Sequence, residues 1–162
     1  MAETVKNELD LTTGTETDNT QAKALEIFGK AVDPYATTAM SADQLEASYG
    51  FAYLVYRNFA MYEDAAKLAV EYLQRLVQYS GGTKELYCKA ANLLGCFYYS
   101  GIGISQNYDD GSAVGWFTLA ANAGHTGAMH NLSMIYSNED KAFIYNEELA
   151  KYWDKKYKEA FK

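Results

Sequence analysis

Few residues of this sequence have the types and spacing that chemistry requires. Gly101-Ile102-Gly103 comes nearest to a phosphate-binding loop. Such a loop follows a strand and continues with a third glycine or with Gly-Lys-Ser/Thr, and neither condition holds here. The residues before Gly101 have helical spacing, so we interpret the glycine pair as the corner of a helical hairpin.

The candidate metal and redox residues are equally sparse. His125 and His130 are five residues apart, whereas paired zinc ligands on a helix are typically four apart, and no Cys-x-x-Cys lies nearby. Cys88 and Cys96 are eight residues apart on one predicted helix, about 12 Å along its axis, which is too far for a disulfide. We expect two reduced, half-buried thiols and no metal or cofactor.

The acidic pairs fall where turns meet predicted helix starts, where carboxylates complement the helix dipole. These pairs are Glu63-Asp64, Asp109-Asp110 and Glu139-Asp140. The lysines of the C-terminal KYWDKKYKEAFK are interpreted as a solvated helix face, with binding of an acidic partner as the alternative. Because no nucleophile is paired with a base, we expect a protein that is not an enzyme.

Composition indicates a single globular domain. The chain has 162 residues, 49% of them hydrophobic, and one proline. Its formal charge of -7 argues against sequence-independent nucleic-acid binding, which needs clustered cations. No window reaches the ~18 apolar residues of a membrane span, and the N-terminus has no signal-peptide pattern, so we expect a cytoplasmic protein without a membrane span.

Hydrophobic periodicity predicts helices throughout a domain of residues 20–162, after an acidic, disordered leader at residues 1–19. Ser41 and Gln44 form a capping-box pattern that predicts a helix start at Ala42. The predicted helices are Gln21–Lys30, Ala42 through Tyr56, Tyr62–Tyr79, Thr83–Ser100, Gly111–Asn122, Ala128–Tyr136 and Ile144–Ala160.

Two motifs recur at nearly one period. Ala90-x-x-x-Leu94-Gly95-x-x-Tyr98 returns 38 residues later as Ala128-x-x-x-Leu132-Ser133-x-x-Tyr136, and Ala113-x-x-Trp116 returns 37 residues later as Ala150-x-x-Trp153. Small residues at 95 and 133 allow paired helices to approach closely, and the rings fill the gaps between hairpins. The sequence therefore predicts an all-α fold, an α-solenoid of about three helix-turn-helix repeats.

The residues from about Ala90 to Ala160 resemble the Sel1-like repeat, a relative of the tetratricopeptide repeat. The first motif copy, with Gly101-Ile102-Gly103 and Ala120-Ala121 after it, carries most of this resemblance. The second copy departs from it, because Ser133 replaces the usual glycine and the loop SNEDKAFIYNEE lacks a glycine pair. The first hairpin, with Leu45-Glu46, Tyr49-x-x-Ala52 and Tyr62-Glu63-Asp64-Ala65, resembles type III secretion translocator chaperones.

Fifteen tyrosines exceed what a core usually uses, because each buried phenol needs a hydrogen-bond partner. The tetratricopeptide resemblance implies that the first helix of each hairpin lines a concave groove. Mapping that rule onto the sequence gives the predicted site residues Tyr49, Tyr53, Tyr56, Arg57, Lys89, Asn92, Cys96, Tyr99, His130, Met134 and Asn138. The alternative is that Tyr53 and Tyr56 are ordinary packing residues.

The resemblances imply a protein that binds protein, not nucleic acid. Our leading expectation is a cytoplasmic chaperone or adaptor that holds an extended, aggregation-prone partner segment in its groove. The alternatives are a Sel1-type scaffold in signalling or protein quality control and an inhibitory partner of a toxin. The sequence leaves the oligomeric state open, with a homodimer as one possibility.

Overall fold

The computed structural model describes residues 40–78, 83–104 and 110–162. The expected leader, the expected helix Gln21–Lys30 and the glycine pair at 81–82 lie outside these ranges. Within them the chain forms six α-helices and no strand. The helices are α1 (Ala42–Arg57), α2 (Glu63–Gln78), α3 (Lys84–Ser100), α4 (Asp110–Asn122), α5 (Thr126–Tyr136) and α6 (Glu147–Glu159), with a 3-10 turn Phe59–Met61 between α1 and α2.

The capping box predicted at the start of α1 is present. The Gln44 amide N–H donates to the Ser41 hydroxyl at 3.2 Å, and the Ser41 N–H donates to Gln44 Oε1 at 2.8 Å. Thr83 caps α3 with a single hydrogen bond, which its hydroxyl accepts from the Leu86 N–H at 3.1 Å. Local sequence thus determines where both helices begin, because each cap satisfies amides that have no partner inside the helix.

The last two helices begin at residues that the periodicity did not predict. α5 starts at Thr126, two residues early, because His125 Nδ1 accepts the Ala128 N–H at 3.1 Å. α6 starts at Glu147, three residues late, because Asn146 Oδ1 accepts the Leu149 N–H at 3.0 Å. His125 is therefore the N-terminal cap of α5.

The helices pair into three hairpins, α1/α2, α3/α4 and α5/α6, and each helix packs on the next. Two buried clusters form the core. One joins α1, α2 and α3, and the other joins α3 through α6. α3 belongs to both clusters, through Leu94 and Phe97 on one side and Ala91 on the other. The protein is thus an all-α solenoid of helical hairpins, as the sequence predicts. None of the described helices is long and apolar enough to cross a membrane.

Gly101 and Gly103 form the corner at the end of α3. Gly101 caps the helix in the left-handed region at φ 67°, where glycine is least strained. Gly103 has φ 68°, and a Cβ there would lie 2.5 Å from the backbone carbonyl carbon of Ala66 on α2. Both glycines are explained by backbone geometry, in agreement with the corner interpretation.

The large rings join neighbouring hairpins. Tyr98 accepts a hydrogen bond from Gln74 Nε2 of α2 at 3.1 Å, and its ring lies 6.2 Å from that of Trp116 on α4. Trp153 is buried in the second core cluster, whereas Trp116 is only half-buried. The two tryptophans matched by the repeat therefore contribute unequally to the core.

Gly95 sets the distance between α3 and α4. A Cβ on Gly95 would lie 2.5 Å from the ring of Phe117, closer than atoms can pack. Phe117 itself is buried, so its ring cannot move aside without cost. The glycine of the repeated motif is thus the residue that lets the Phe117 ring lie against α3.

Gly95→Ala is expected to lower the free energy of unfolding by about 1–3 kcal/mol, because the added methyl collides with Phe117. Gly115→Ala on α4 is the matched control. A Cβ there meets nothing within 4 Å, so it should raise stability by about 0.5–1 kcal/mol. Urea denaturation followed by circular dichroism measures both. Equal effects of the two substitutions would contradict the packing role of Gly95.

Candidate functional site

The first helices of the three hairpins carry all the predicted site residues except Asn138, which lies in the turn after α5. We call α1, α3 and α5 the inner row, because they form a connected set. α1 packs against α3. α3 is joined to α5 by a hydrogen bond from Asn131 Nδ2 to Asn92 Oδ1 at 3.2 Å. Residues from three separate hairpins therefore belong to one continuous part of the molecule.

At the α1 end, half-buried Tyr49 forms a cluster with two exposed residues, Tyr53 and Arg57. The rings of Tyr49 and Tyr53 stack with centroids 6.2 Å apart, and Arg57 Nη1 donates to the Tyr53 hydroxyl at 3.3 Å. The guanidinium also lies 6.0 Å from the centre of the Tyr53 ring. Tyr53 is 40% exposed, so this cluster offers a flat aromatic surface with a cation beside it.

Tyr49 and Tyr56 of α1 both interact with Cys96 of α3. Burial, with a smaller effect of the Tyr53 phenol, raises the pKa of Tyr49 to about 12. Burial also raises the pKa of the Cys96 thiol to about 11, and a hydrogen bond from Tyr56 opposes part of that shift. Tyr56 packs on Phe97 with ring centroids 5.2 Å apart. Tyr56 and Cys96 thus fill the junction of two helices, and the thiol is poorly placed for redox chemistry.

The middle of the inner row is polar. Lys89 forms an ion pair with Glu85 one turn earlier on α3, and Asn92 accepts the hydrogen bond from Asn131. Burial, and then the Lys89 charge, lowers the pKa of His125. At neutral pH this imidazole is accordingly uncharged, which suits its role as the acceptor that caps α5.

At the other end of the row, the turn between α5 and α6 contributes two residues. Lys141 Nζ lies 4.6 Å from the centre of the Tyr99 ring, a cation–π contact. Asn138 Oδ1 accepts the Asp140 N–H at 3.1 Å, so this side chain organises its own turn. On α5, Met134 is 58% exposed, while the His130 ring lies 5.0 Å from that of Tyr157 on α6.

The predicted set therefore divides into two groups. Tyr53, Arg57, His130 and Met134 are exposed, and Lys89, Asn92 and Tyr99 are half-buried with polar or charged neighbours. Tyr49, Tyr56, Cys96 and Asn138 are occupied mainly with contacts inside the protein. The first group is the part of the inner row that a ligand could contact.

Sequence reasoning missed Asn131 and Lys141. The repeat offset of 38 aligns Asn92 with His130, but the hydrogen bond reaches Asn131, 39 residues on. Asn131, one residue after the position that the offset aligns with Asn92, is the residue that faces α3. The repeat offset alone does not reveal this. Nothing in the sequence indicates that Lys141, within a turn, lies against Tyr99.

The side chains of the inner row are of the kinds that bind a ligand rather than catalyse a reaction. Among residues 40–78, 83–104 and 110–162, no three His, Cys, Asp or Glu side chains lie together as a metal site. The two histidines are separately engaged, His125 in a cap and His130 against a ring. What the row offers is aromatic faces, amides and cations.

The Sel1 repeat family model matches residues 88–125 and 126–153. The first segment covers most of α3 and all of α4, and the second covers all of α5 and the first half of α6. Residues 88–153 form Sel1-like helical repeats. Sel1 repeats are protein-interaction modules and are generally not enzymes.

The first hairpin, α1/α2, lies outside both Sel1-matched segments. Its resemblance to type III secretion chaperones stays a prediction. Neither the curated proteins nor the solved structures gave a match to the chain.

The raised pKa of Cys96 predicts slow alkylation in the folded protein. In a Cys88→Ser variant, Cys96 is the one thiol left in the sequence. At pH 8 its reaction with iodoacetamide should be at least about 100-fold slower folded than in urea, because a pKa of about 11 instead of 9.0 leaves that much less thiolate. Equal rates would contradict the burial of Cys96.

The same shift affects stability. Since the pKa of Cys96 is higher in the folded than in the unfolded protein, this thiol should favour folding below pH 9 and lose that contribution as pH rises toward 11.

Proposed function

We propose that this Sel1-like protein is a cytoplasmic chaperone or adaptor that holds an extended segment of a partner protein across α1, α3 and α5. The observation that carries the proposal is the Asn92–Asn131 hydrogen bond. It shows that side chains of successive hairpins meet on the inner row, at a spacing of one repeat. A ligand lying there can contact more than one hairpin at once.

The amide pair suits a peptide backbone. Asn131 uses one N–H and Asn92 uses its carbonyl oxygen in their mutual hydrogen bond. Asn92 keeps the two N–H donors of its NH₂ group, and Asn131 keeps its carbonyl oxygen as an acceptor. A peptide unit pairs with one donor and one acceptor of this kind. Because every residue has such a unit, recognition here would be independent of the partner's side chains.

Apolar contacts flank the amide pair. Tyr53 on α1 and Met134 on α5 are exposed, and α3 with the amides lies between these helices in chain order. Helix axes pack about 8–10 Å apart, so three adjacent helices span roughly six residues of extended chain at ~3.3 Å each. A segment of that length with alternating apolar side chains would place some of them on the tyrosine and the methionine.

Masking such a segment would prevent its aggregation until handover, because exposed apolar strands template pairing with one another. The formal charge of -7 favours solubility of the complex. The resemblance of the first hairpin to translocator chaperones supports the same function. A secreted substrate encoded beside this protein would add to that support.

Site-specific photo-crosslinking tests the proposal directly. A benzoyl-phenylalanine at position 53 or 134 should crosslink, in the native host, to one contiguous segment of a partner, identified by mass spectrometry. The control position is Leu119 on α4, which is 45% exposed but outside the inner row. Crosslinks from 53 and 134 to scattered surfaces of folded domains would favour a scaffold instead, and crosslinks to the catalytic cleft of a toxic enzyme would favour an inhibitor.

Tyr53→Ala and Tyr56→Ala are expected to behave differently. Tyr53 is exposed, so its loss should weaken partner binding by about tenfold or more, ~1.4 kcal/mol, with an unchanged melting temperature. Tyr56 packs on Phe97, so its loss should lower the free energy of unfolding by about 2–4 kcal/mol. Calorimetric titration with the crosslinked segment and thermal melts measure the two effects. If Tyr53→Ala binds like wild type, the inner row is not the binding surface.

A further inference from the structure

The exposed large apolar side chains of the described residues concentrate in the last hairpin. On α6, Leu149 is 37% exposed and Tyr152 is 49% exposed. With Lys156 they are spaced three and four residues apart, so they share one face of the helix. We call Leu149, Tyr152 and Lys156 the α6 stripe. Ala150 and Trp153 are the residues by which α6 packs on its own core.

The stripe lies on a flank of the solenoid that no described helix covers. Each hairpin of a solenoid covers the flank of its neighbour. α6 is the last helix that the structure describes, and the Tyr152 ring lies edge-on to buried Trp153 at 5.0 Å. The stripe is therefore continuous with the core, as a surface for a further stacked element would be.

The charges beside the stripe identify what can cover it. Glu148 precedes Leu149 and Lys155 precedes Lys156, so these two charges lie seven residues apart along the same edge. The edge is thus acidic near the start of α6 and basic near its end. A helix with the same sequence, running in the opposite direction, would place its Lys155 against Glu148 and its Glu148 against Lys155. A parallel copy would instead oppose like charges.

We propose that the α6 stripe binds the α6 stripe of a second copy of this chain in antiparallel orientation. Leu149 packs on Tyr152 of the second copy, and Tyr152 packs on Leu149 of the second copy. Glu148 and Lys155 form two intermolecular ion pairs along the edge. A two-fold axis relates the two helices, so every contact occurs twice and the assembly closes as a dimer.

The ion pairs within α6 do not prevent this arrangement. Lys155 lies 3.9 Å from Glu159, the loosest ion pair along the helix, and its side chain is 76% exposed. The tighter pairs, Lys151 with Glu147 at 2.5 Å and Lys158 with Asp154 at 2.6 Å, do not involve either residue of the proposed contact. Lys155 can therefore turn toward Glu148 of the second copy at little cost.

The dimer contact is separate from the inner row, so the two proposals can fail independently. A dimer would present two inner rows on one particle. Two linked sites bind a partner with two exposed segments more tightly than either site alone, because the second contact becomes intramolecular.

Sedimentation of the whole chain from about 1 to 500 µM tests the dimer, a range that covers the affinity of a modest interface. Wild type should shift reversibly from monomer to dimer. Leu149→Glu and Tyr152→Glu should each raise the dissociation constant of the dimer at least ~10-fold, because each places a carboxylate in the buried contact between the two α6 stripes. Leu119→Glu is the matched control, since Leu119 is equally exposed and lies on α4. It should dimerise like wild type, and circular dichroism confirms that each variant is folded.

Charge reversal tests the antiparallel pairing itself. Glu148→Lys alone and Lys155→Glu alone should each dimerise more weakly, since each homodimer then opposes like charges. An equimolar mixture of the two variants should restore dimers to within about threefold of wild type, and the restoration should shrink in ~1 M salt. A wild-type chain that stays monomeric throughout, a Leu149→Glu variant that dimerises normally, or a mixture no better than its components would overturn the proposal.

Discussion

The close approach of α3 to its neighbours is the constraint on which the rest of the structure depends. α3 packs on α1 and α2 through Leu94 and Phe97 and on the later helices through Ala91. It can do so because Gly95 and Gly103 leave no Cβ in the way of Phe117 and of the α2 backbone. A larger residue at position 95 would push α3 away from α4 within one hairpin, and a larger residue at position 103 would push this hairpin away from α2. A solenoid without contacts between neighbouring hairpins has no continuous core.

Most of the fold could be predicted, because its determinants are local. The Ser41 capping box fixed the start of α1, and the spacing of small and aromatic residues at 95, 98, 133 and 136 indicated stacked hairpins. The starts of α5 and α6 were missed because their caps, His125 and Asn146, are not recognisable from apolar periodicity. The unequal burial of Trp116 and Trp153 was missed for another reason. A repeat aligns positions, but burial depends on the particular side chains that pack around each position.

The candidate site was predicted less completely, because the apolar periodicity of a single helix does not specify the side-chain contacts between different hairpins. The rule that the first helix of each hairpin lines the groove identified Asn92 as a site residue but not its hydrogen-bond partner Asn131. It also grouped Tyr53 with Tyr56, although one ring is exposed and the other packs on Phe97. The first difference is a shift of one residue from the position that the repeat offset aligns. The second arises because Tyr53 and Tyr56, three residues apart on α1, point in directions about 60° apart around the helix axis. Apolar periodicity and composition specify neither the shift nor which of the two rings is buried.

The double role of α3 also bears on how a ligand would act. Asn92, Lys89 and Tyr99 belong to the same helix that joins the two core clusters. In a solenoid, stability is a sum of hairpin terms and contacts between neighbours. A segment bound across α1, α3 and α5 adds contacts at both junctions of α3, so its binding energy would stabilise the joints between hairpins and not one hairpin alone. The amide pair is already formed in the free protein, which reduces the ordering that binding must otherwise impose on these side chains. The inner row therefore suits an extended ligand that becomes ordered only on binding. Such a ligand loses conformational entropy when it binds, but the side chains of the inner row lose little more, because they are already ordered.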